Sequence, residues 1–585
     1  MDIFSVLKFI CGISFFLFGM KVMSSELEKL AGGRLESVLR RVTSKPLLSL
    51  LLGAAITVAM QSSSAVTVML VGLVNSGIMA FSQTVAVTYG ANIGTTLTAW
   101  ILSLSGLSGD SIALSLLKPE NFSPVLAFIG IFMSMFSKKD KRKSIGSVFV
   151  GFAVLMYGMS FMTDSVAPLA EMPEFTSFTG LLDNPFLGVL IGAVFTCVIQ
   201  SSAASIGILQ ALAISGSLTY AAAAPLVMGL NIGTCITAVL SSVGAAPKAK
   251  RVAFMHTAMN VFGTVICLTL FEVVKLTASP VLFSENATAW GIAAVHTAFN
   301  VITAAVLMPF TKQLVRLAEF VIKDTPAEKK KDVRLFCPDE RLLVTPSVAV
   351  KECFAFTLKM GRTADEMLSS AFDILFSYDK KTAENITETE DELDLFEDAL
   401  GTYLVKISSS ELAQTESRLV SGMLRAIGNF ERLGDHALNL LDASDELHSK
   451  NIVFSDSALR EVRVLENALR EIISLMMRAF SDGDLEAASQ VEPLEQVVDE
   501  LTEKAKANHV ERLKKGNCTI EQGFVFNDIM NNFERISDHC SNIAGAVLEL
   551  NTDGAFDMHR YLNSVKSSHG KFDEDYKTYA EKYTF

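Results

Sequence analysis

The sequence predicts an all-α chain. Its first part reads as a polytopic membrane protein with two inverted repeats and two re-entrant hairpins, and its second part as a cytoplasmic helical bundle domain. Three observations carry this. The 585 residues are 50% hydrophobic and only 19% charged, too apolar for an ordinary soluble chain of that length. The apolarity is uneven: up to about Phe310 apolar runs alternate with short loops, and beyond it come charged helical segments such as TETEDELDLFEDAL. Finally, the first part repeats itself without a gap at an offset of 139 residues.

Each element follows in chain order. The N-terminal run MDIFSVLKFICGISFFLFGMKVM is too long for a signal-peptide core and has no clear cleavage site, so it reads as a retained first span. The next loop holds Lys29, Arg34, Arg40, Arg41 and Lys45 and belongs in the cytoplasm. Its counterpart, Thr163 to Asn184, has no Lys or Arg and carries Asp164, Glu171, Glu174 and Asp183, so it belongs outside. Equivalent loops on opposite faces make the repeats inverted, as in secondary transporters with a site at mid-membrane. The basic segments SKKDKRKS (Ser137 to Ser144) and KAKR (Lys248 to Arg251) lie inside. With spans near 79–104 and 122–136, that parity holds only if Leu47–Asn75 and Phe186–Ser215 each return to their starting side. Their arms are short for a full span of about 20 residues. The expected transport domain is 1–310, with repeats of about 1–136 and 145–310.

The repeat places Gln61-Ser62-Ser63 over Gln200-Ser201-Ser202, at the two hairpin tips, with Ser64 following in the first copy. A second arm that begins at the serines aims free amides and a positive helix end at the membrane centre, which suits an anion. Gln and Ser oxygens can also coordinate a hard cation such as sodium. The trailing GANIGTTLTA and GLNIGTCITA add Asn92, Thr95, Thr96, Asn231 and Thr234. Gly90, Gly94, Gly229 and Gly233 beside them would let a broken helix expose carbonyls. These core segments contain no Lys, Arg, Asp or Glu. Cations entering with the anion would cancel a charge that is otherwise costly to bury. The bland alternative is that small polar residues hold helices together. The pair HTAMN (His256 to Asn260) and HTAFN (His296 to Asn300) stays outside the site, because interhelical bonding explains it equally well.

The twin QSS motifs, the NIGT segments and the HTA-M/F-N helices resemble the type II sodium-dependent phosphate cotransporters in their bacterial form. The resemblance covers about the first 310 residues. It implies that Gln61, Ser62, Ser63, Ser64, Gln200, Ser201 and Ser202 bind phosphate and sodium. The second copy departs at Ala203, where the first has Ser64.

A linker over 311–348, with Pro326, Pro338 and Pro346, leads to a soluble domain over 349–560 and a tail over 561–585. NFERLGDH (Asn429 to His436) recurs as NFERISDH (Asn532 to His539), 103 positions on. Upstream acidic pairs, Glu390 with Asp394 and Glu495 with Asp499, share the four-residue spacing of Glu431 with Asp435 and Glu534 with Asp538. On a helix that spacing puts both carboxylates on one face, and two such faces could cage metal ions. The alternative is pairing with Arg432, Arg535 or lysines. The repeated motif resembles PhoU-type domains, paired three-helix bundles linked to phosphate regulation. That resemblance adds transition-metal ions as candidate ligands of the eight carboxylates.

The eight cysteines show no Cys-x-x-Cys pair, so no disulfide framework is expected. The net charge of −13 argues against nucleic acid as a partner. The chain lacks a Walker loop, a nucleophile elbow and paired catalytic carboxylates in its membrane half, so no enzyme activity is expected. The sequence therefore reads as a multi-pass protein of the bacterial cytoplasmic membrane that carries inorganic phosphate with sodium, in contact with membrane lipid. Another oxyanion, phosphate export and a membrane phosphate sensor stay open as alternatives. A homodimer is open too, since many inverted-repeat transporters dimerise.

Overall fold

The computed structural model describes residues 3–31, 45–107, 118–168, 172, 184–277, 283–324, 336–550 and 570–585. The regular elements among them are helical, with a lone antiparallel bridge between Thr219 and Asn286. Arg34, Arg40, Arg41, Glu171, Glu174, Asp183 and Pro326 lie outside the described residues. The chain divides into two compact units, 1–329 with 339–349, and 330–338 with 350–585.

The first unit holds α1 (Ile3–Ala31), α2 (Pro46–Met60), α3 (Ser63–Asn75), α4 (Phe81–Ser103), α5 (Pro119–Phe136) and α6 (Asp140–Val166). It continues with α7 (Pro185–Ile199), α8 (Ser202–Ile214), α9 (Tyr220–Ser241), α10 (Pro247–Thr277), α11 (Ala289–Leu307) and α12 (Thr311–Val321). Among the described residues, five segments are long and apolar enough to cross a membrane: α1, α6, α9, α10 and the continuous stretch Ala289–Val321. This makes the chain a membrane protein.

The 139-residue echo is structural as well. Prolines 46 and 185 open α2 and α7 at the first helical turn, where a missing N–H costs nothing. The arms α3 and α8 end alike. Gly77 and Gly216 sit at φ of 73° and 75°, and Ile78 and Ser217 donate back to the carbonyls of Leu73 and Leu212. Only a residue without a Cβ takes that left-handed cap freely.

The glycines of the NIGT segments do not expose carbonyls in broken helices, the role considered above. Both α4 and α9 run through them unbroken. A Cβ on Gly90 would strike the Leu50 carbonyl, and one on Gly229 the Val189 carbonyl. Gly94 and Gly233 face the carbonyls of Ala54 and Ala193, while Gly53 and Gly192 face those of Val87 and Leu226. Glycine on both sides lets α2 pack on α4, and α7 on α9, at backbone contact.

The first helices of the two copies meet in the same way. Gly12 abuts Gly158, and Gly19 abuts Gly151, so α1 and α6 run antiparallel. Since Gly12 corresponds to Gly151 and Gly19 to Gly158, exchanging the copies maps this contact onto itself. Lys8 and Asp164 close one end of the pair at 3.0 Å.

The second unit contains α13 (Pro346–Ile374, entering it at Val350), α14 (Lys380–Ser408), α15 (Gln414–Ser449), α16 (Asp456–Asp482), α17 (Leu485–Lys514) and α18 (Ile520–Leu550). Buried aromatic contacts join them, among them Phe372 with Phe533 and Phe354 with Phe480. The expected tail instead contains a helix, α19 (Lys571–Lys582), that packs on α17. Its Tyr576 hydroxyl donates to Glu500 at 2.6 Å.

Candidate functional site

The chain breaks between α2 and α3 at Gln61-Ser62, and between α7 and α8 at Gln200-Ser201. Gln61 (φ 53°, ψ 23°) and Gln200 (φ 58°, ψ 18°) are both left-handed C-caps. The next residue is extended and caps the second arm in each copy. Ser62 Oγ accepts from the Ala65 amide at 3.1 Å, and Ser201 Oγ from the Ala204 amide at 3.2 Å. The first turns of α3 and α8 thus start at Ser63-Ser64 and Ser202-Ala203, with helix N-termini at the tips. Ser63 is buried, while Ser62, Ser64, Ser201 and Ser202 are half-buried.

The tips differ in how the glutamines are held. Gln61 Nε2 donates to the Val58 carbonyl at 2.7 Å, and its Oε1 accepts from Thr98 Oγ1 at 2.8 Å. Gln200 is exposed, and among the described residues its side-chain amide makes no such bond. The equivalent hydroxyl, on Thr237, turns back to the Thr234 carbonyl.

The asparagines of the NIGT segments are tied to the HTA-M/F-N helices. His256 Nε2 lies 3.2 Å from Asn92 Oδ1, and Asn92 Nδ2 donates to Asn260 Oδ1 at 3.2 Å. In the second copy His296 Nε2 lies 3.3 Å from Asn231 Oδ1, which also accepts from Asn300 at 3.5 Å. Thr95, Thr96 and Thr234 bond to carbonyls of their own helices. Sequence reasoning missed two further groups. Thr57 and Thr196 are buried one turn before each tip glutamine, and neither hydroxyl has a hydrogen-bond partner among the described residues. Their pairing at the repeat offset was the available signal.

In the soluble unit the two motif helices, α15 and α18, cross through a reciprocal clasp. His436 Nδ1 lies 2.8 Å from Asn532 Oδ1, His539 Nδ1 lies 3.0 Å from Asn429 Oδ1, and the imidazoles stack at 5.4 Å. Burial lowers the pKa of both histidines, that of His539 to about 4, so the pair is neutral near pH 7. The motif carboxylates point elsewhere. Glu431 is raised to about 7 by burial and then by Asp435, Glu397 and Asp394, so this acidic face is crowded. Burial, then the charges of Asp394, Asp391 and Asp435, also raises Glu390; burial, then Asp435, raises Asp394. In the second copy Glu495, Asp499 and Asp538 bring carboxylate oxygens within 4.8 Å of one another, and burial raises Asp538. Glu534 is drawn away to Lys506 at 2.9 Å, and Arg535 reaches Asp538 at 3.4 Å. Seven of the eight predicted carboxylates therefore lie in two acidic groups, and Glu534 pairs with Lys506 while its charge, after burial, still raises Asp538.

A membrane unit built of two equivalent halves with broken helices at matching points is the architecture of a transport protein. A model described as the Na+/Pi-cotransporter family matches residues 15–164 and 154–303, and a PhoU domain model matches 357–443 and 462–547. The chain belongs to the Na+/Pi-cotransporter family and carries PhoU domains. It is 24% identical over 548 residues to the "Putative inorganic phosphate export protein YjbB" of Escherichia coli K12, covering 93% of this chain and 98% of that one. It is 30% identical over 323 residues to the "Uncharacterized protein YqeW" of Bacillus subtilis, covering 54% of this chain and 98% of that protein. The human "Sodium-dependent phosphate transport protein 2B" is 28% identical over 225 residues, 34% of this chain and 32% of that protein. Among solved structures, PhoU from Pseudomonas aeruginosa is 23% identical, with a TM-score of 0.33, covering 34% of this chain and 97% of that one.

Proposed function

We propose that this protein is a sodium-coupled secondary transporter of inorganic phosphate in the bacterial cytoplasmic membrane, with the tips at Gln61–Ser64 and Gln200–Ser202 holding the anion and its cations. The observation that carries the reading is the twin tip: a left-handed glutamine followed by a serine-capped helix N-terminus, present at both copies. The first-turn amides that the caps leave free, and the serine hydroxyls, suit the phosphate oxygens. The unpartnered hydroxyls of Thr57 and Thr196 suit sodium, a hard cation that takes neutral oxygens. Asn92 and Asn231, held by their histidine helices, orient the wall behind the tips, and Thr95, Thr96 and Thr234 complete it.

The topology agrees with this. At 1.5 Å per residue, arms of 15 and 13 residues are each about 20 Å long, short of the roughly 30 Å hydrocarbon core, which supports re-entrant hairpins. The antiparallel α1 and α6 support inverted repeats. Export is the second reading, favoured by the name of the Escherichia coli relative. In proteoliposomes, radiolabelled phosphate should move down an imposed sodium gradient and accumulate. Movement indifferent to sodium sinks the coupling. Net movement only from the cytoplasmic face outward, without sodium, would select export.

The soluble unit is cytoplasmic in this reading and regulates the carrier. Glu495, Asp499 and Asp538 fit a divalent transition-metal ion in ligand type and spacing. Such an ion would neutralise the crowded charge there and fix α17 to α18. Full-length protein purified without chelator should hold manganese, iron or zinc by elemental mass spectrometry, and Asp538→Ala should lose most of it. Equal metal in both proteins removes this site.

A further inference from the structure

We propose that the short segment Asp339–Val344 is a brake on the first hairpin, with Asp339 and Arg341 as the positioning residues that apply it. The proposal rests on the reading that the hairpin tips hold the substrate. The segment belongs to the membrane unit and runs directly into α13, the helix that enters the soluble unit at Val350.

The contacts converge on the far end of α3. Its last residue, Asn75, donates through Nδ2 to Asp339 Oδ2, and its Oδ1 accepts from the Ala246 amide at 2.8 Å. Arg341 Nη1 donates to both Asp339 oxygens, at 3.1 and 2.8 Å. Its Nε donates to the Ser241 carbonyl, and its Nη2 to the Val243 carbonyl at 2.9 Å. Leu342 is fully buried, and its side chain fills the space above Gly72, where a Cβ would meet it at 2.9 Å. One guanidinium therefore fastens the end of α9, the turn before α10 and the carboxylate that grips α3. Its planar fork makes this a fixed geometry rather than a loose charge contact.

Among the described residues the second hairpin has no counterpart to this clamp. At the repeat offset Asn75 becomes Ile214 and Gly72 becomes Ala211. The tips are built alike, yet the arms are held differently: α8 is tied through Gln210 to the carbonyls of Ala99 and Ala289, both inside the membrane unit, and not to the segment that leads into α13. The arm α3 is a rod about 20 Å long, so holding its base holds Ser62–Ser64 at its head. A hairpin that must shift for alternating access is slowed by such a clamp, and a pull on α13 would release it.

Proteoliposome transport and hydrogen exchange on the full-length protein test this. Arg341→Ala, which removes the bonds to Asp339, Ser241 and Val243 together, should raise phosphate turnover per folded protein at least about tenfold, the effect that losing even one charge-assisted hydrogen bond from the resting state would have. The KM for phosphate should stay unchanged, because the tip chemistry is untouched. Arg341→Lys, which reaches a carbonyl without the fork, should fall between, and Asp339→Ala should follow Arg341→Ala. Amides of residues 61–76 should exchange faster in these variants, and those of 200–214 should not. Unchanged exchange at 61–76, equal loosening of both hairpins, or slower transport with a lower melting temperature each overturns the brake. Failure of the wild type to move phosphate would strike the transport reading instead, while the exchange comparison still decides the brake.

Discussion

Gly90→Val should leave almost no folded transporter. The new Cβ would meet the Leu50 carbonyl and the Ala54 amide nitrogen, both backbone atoms that no rotamer change can move aside. Overpacking in a core commonly costs about 1–3 kcal/mol and more where the neighbour is rigid. Here α2 and α4 would have to separate along a crossing that Gly53 and Gly94 also hold closed. Gly229→Val should fail in the same way against Val189 and Ala193. The control is Gly77→Ala: φ is 73° but nothing lies within 4 Å of the new Cβ. That variant should lose only the left-handed backbone preference, about 1 kcal/mol. Size-exclusion chromatography in detergent and a thermal melt separate the outcomes. A monodisperse Gly90→Val with the wild-type melting temperature would mean that the two helices do not need backbone contact.

These glycines also show where the sequence stopped being legible. The repeat offset and the polar tips were readable, because Gln-Ser-Ser inside an apolar run is visible locally and its echo is visible by alignment. The role of Gly90 was not. A glycine in an apolar helix marks either a break or a close approach, and the deciding neighbour, Leu50, lies forty positions earlier. Periodicity says nothing about that partner. The same holds for the partners of Asn92, since His256 and Asn260 lie more than 160 positions later. In the soluble unit the shared spacing of Glu534 and Glu431 suggested equal roles, yet Lys506 from α17 claims Glu534. The reciprocal His–Asn clasp could have been suspected, because both residues recur in both motif copies. Spacing along a helix gives the face a side chain shares, and the facing helix decides its use.

The most informative substitution at the tips is Gln200→Gly. Held at φ 58°, Gln200 occupies a conformation that glycine adopts without strain. A non-glycine residue in this region carries about 1–3 kcal/mol of strain, and such strain persists where the side chain is needed. Both tips keep glutamine there, although glycine serves the equivalent turn at Gly77 and Gly216. Gln200→Gly should therefore melt at the wild-type temperature or a degree or two above it, since about 1 kcal/mol shifts a large unit by only a few degrees. Phosphate transport should nevertheless fall at least tenfold, the cost of one lost polar contact to a buried anion. Gln200→Ala should lose transport equally while keeping the strain, and so melt no higher than wild type. At the first tip Gln61→Gly gains less, because it also gives up the bonds to Val58 and Thr98. Stability rising while transport falls is the mark of strain held for function, and it separates a binding glutamine from a structural one. A Gln200→Gly protein that transports like the wild type would make the second tip a turn and nothing more, leaving the anion to the serines and the helix ends.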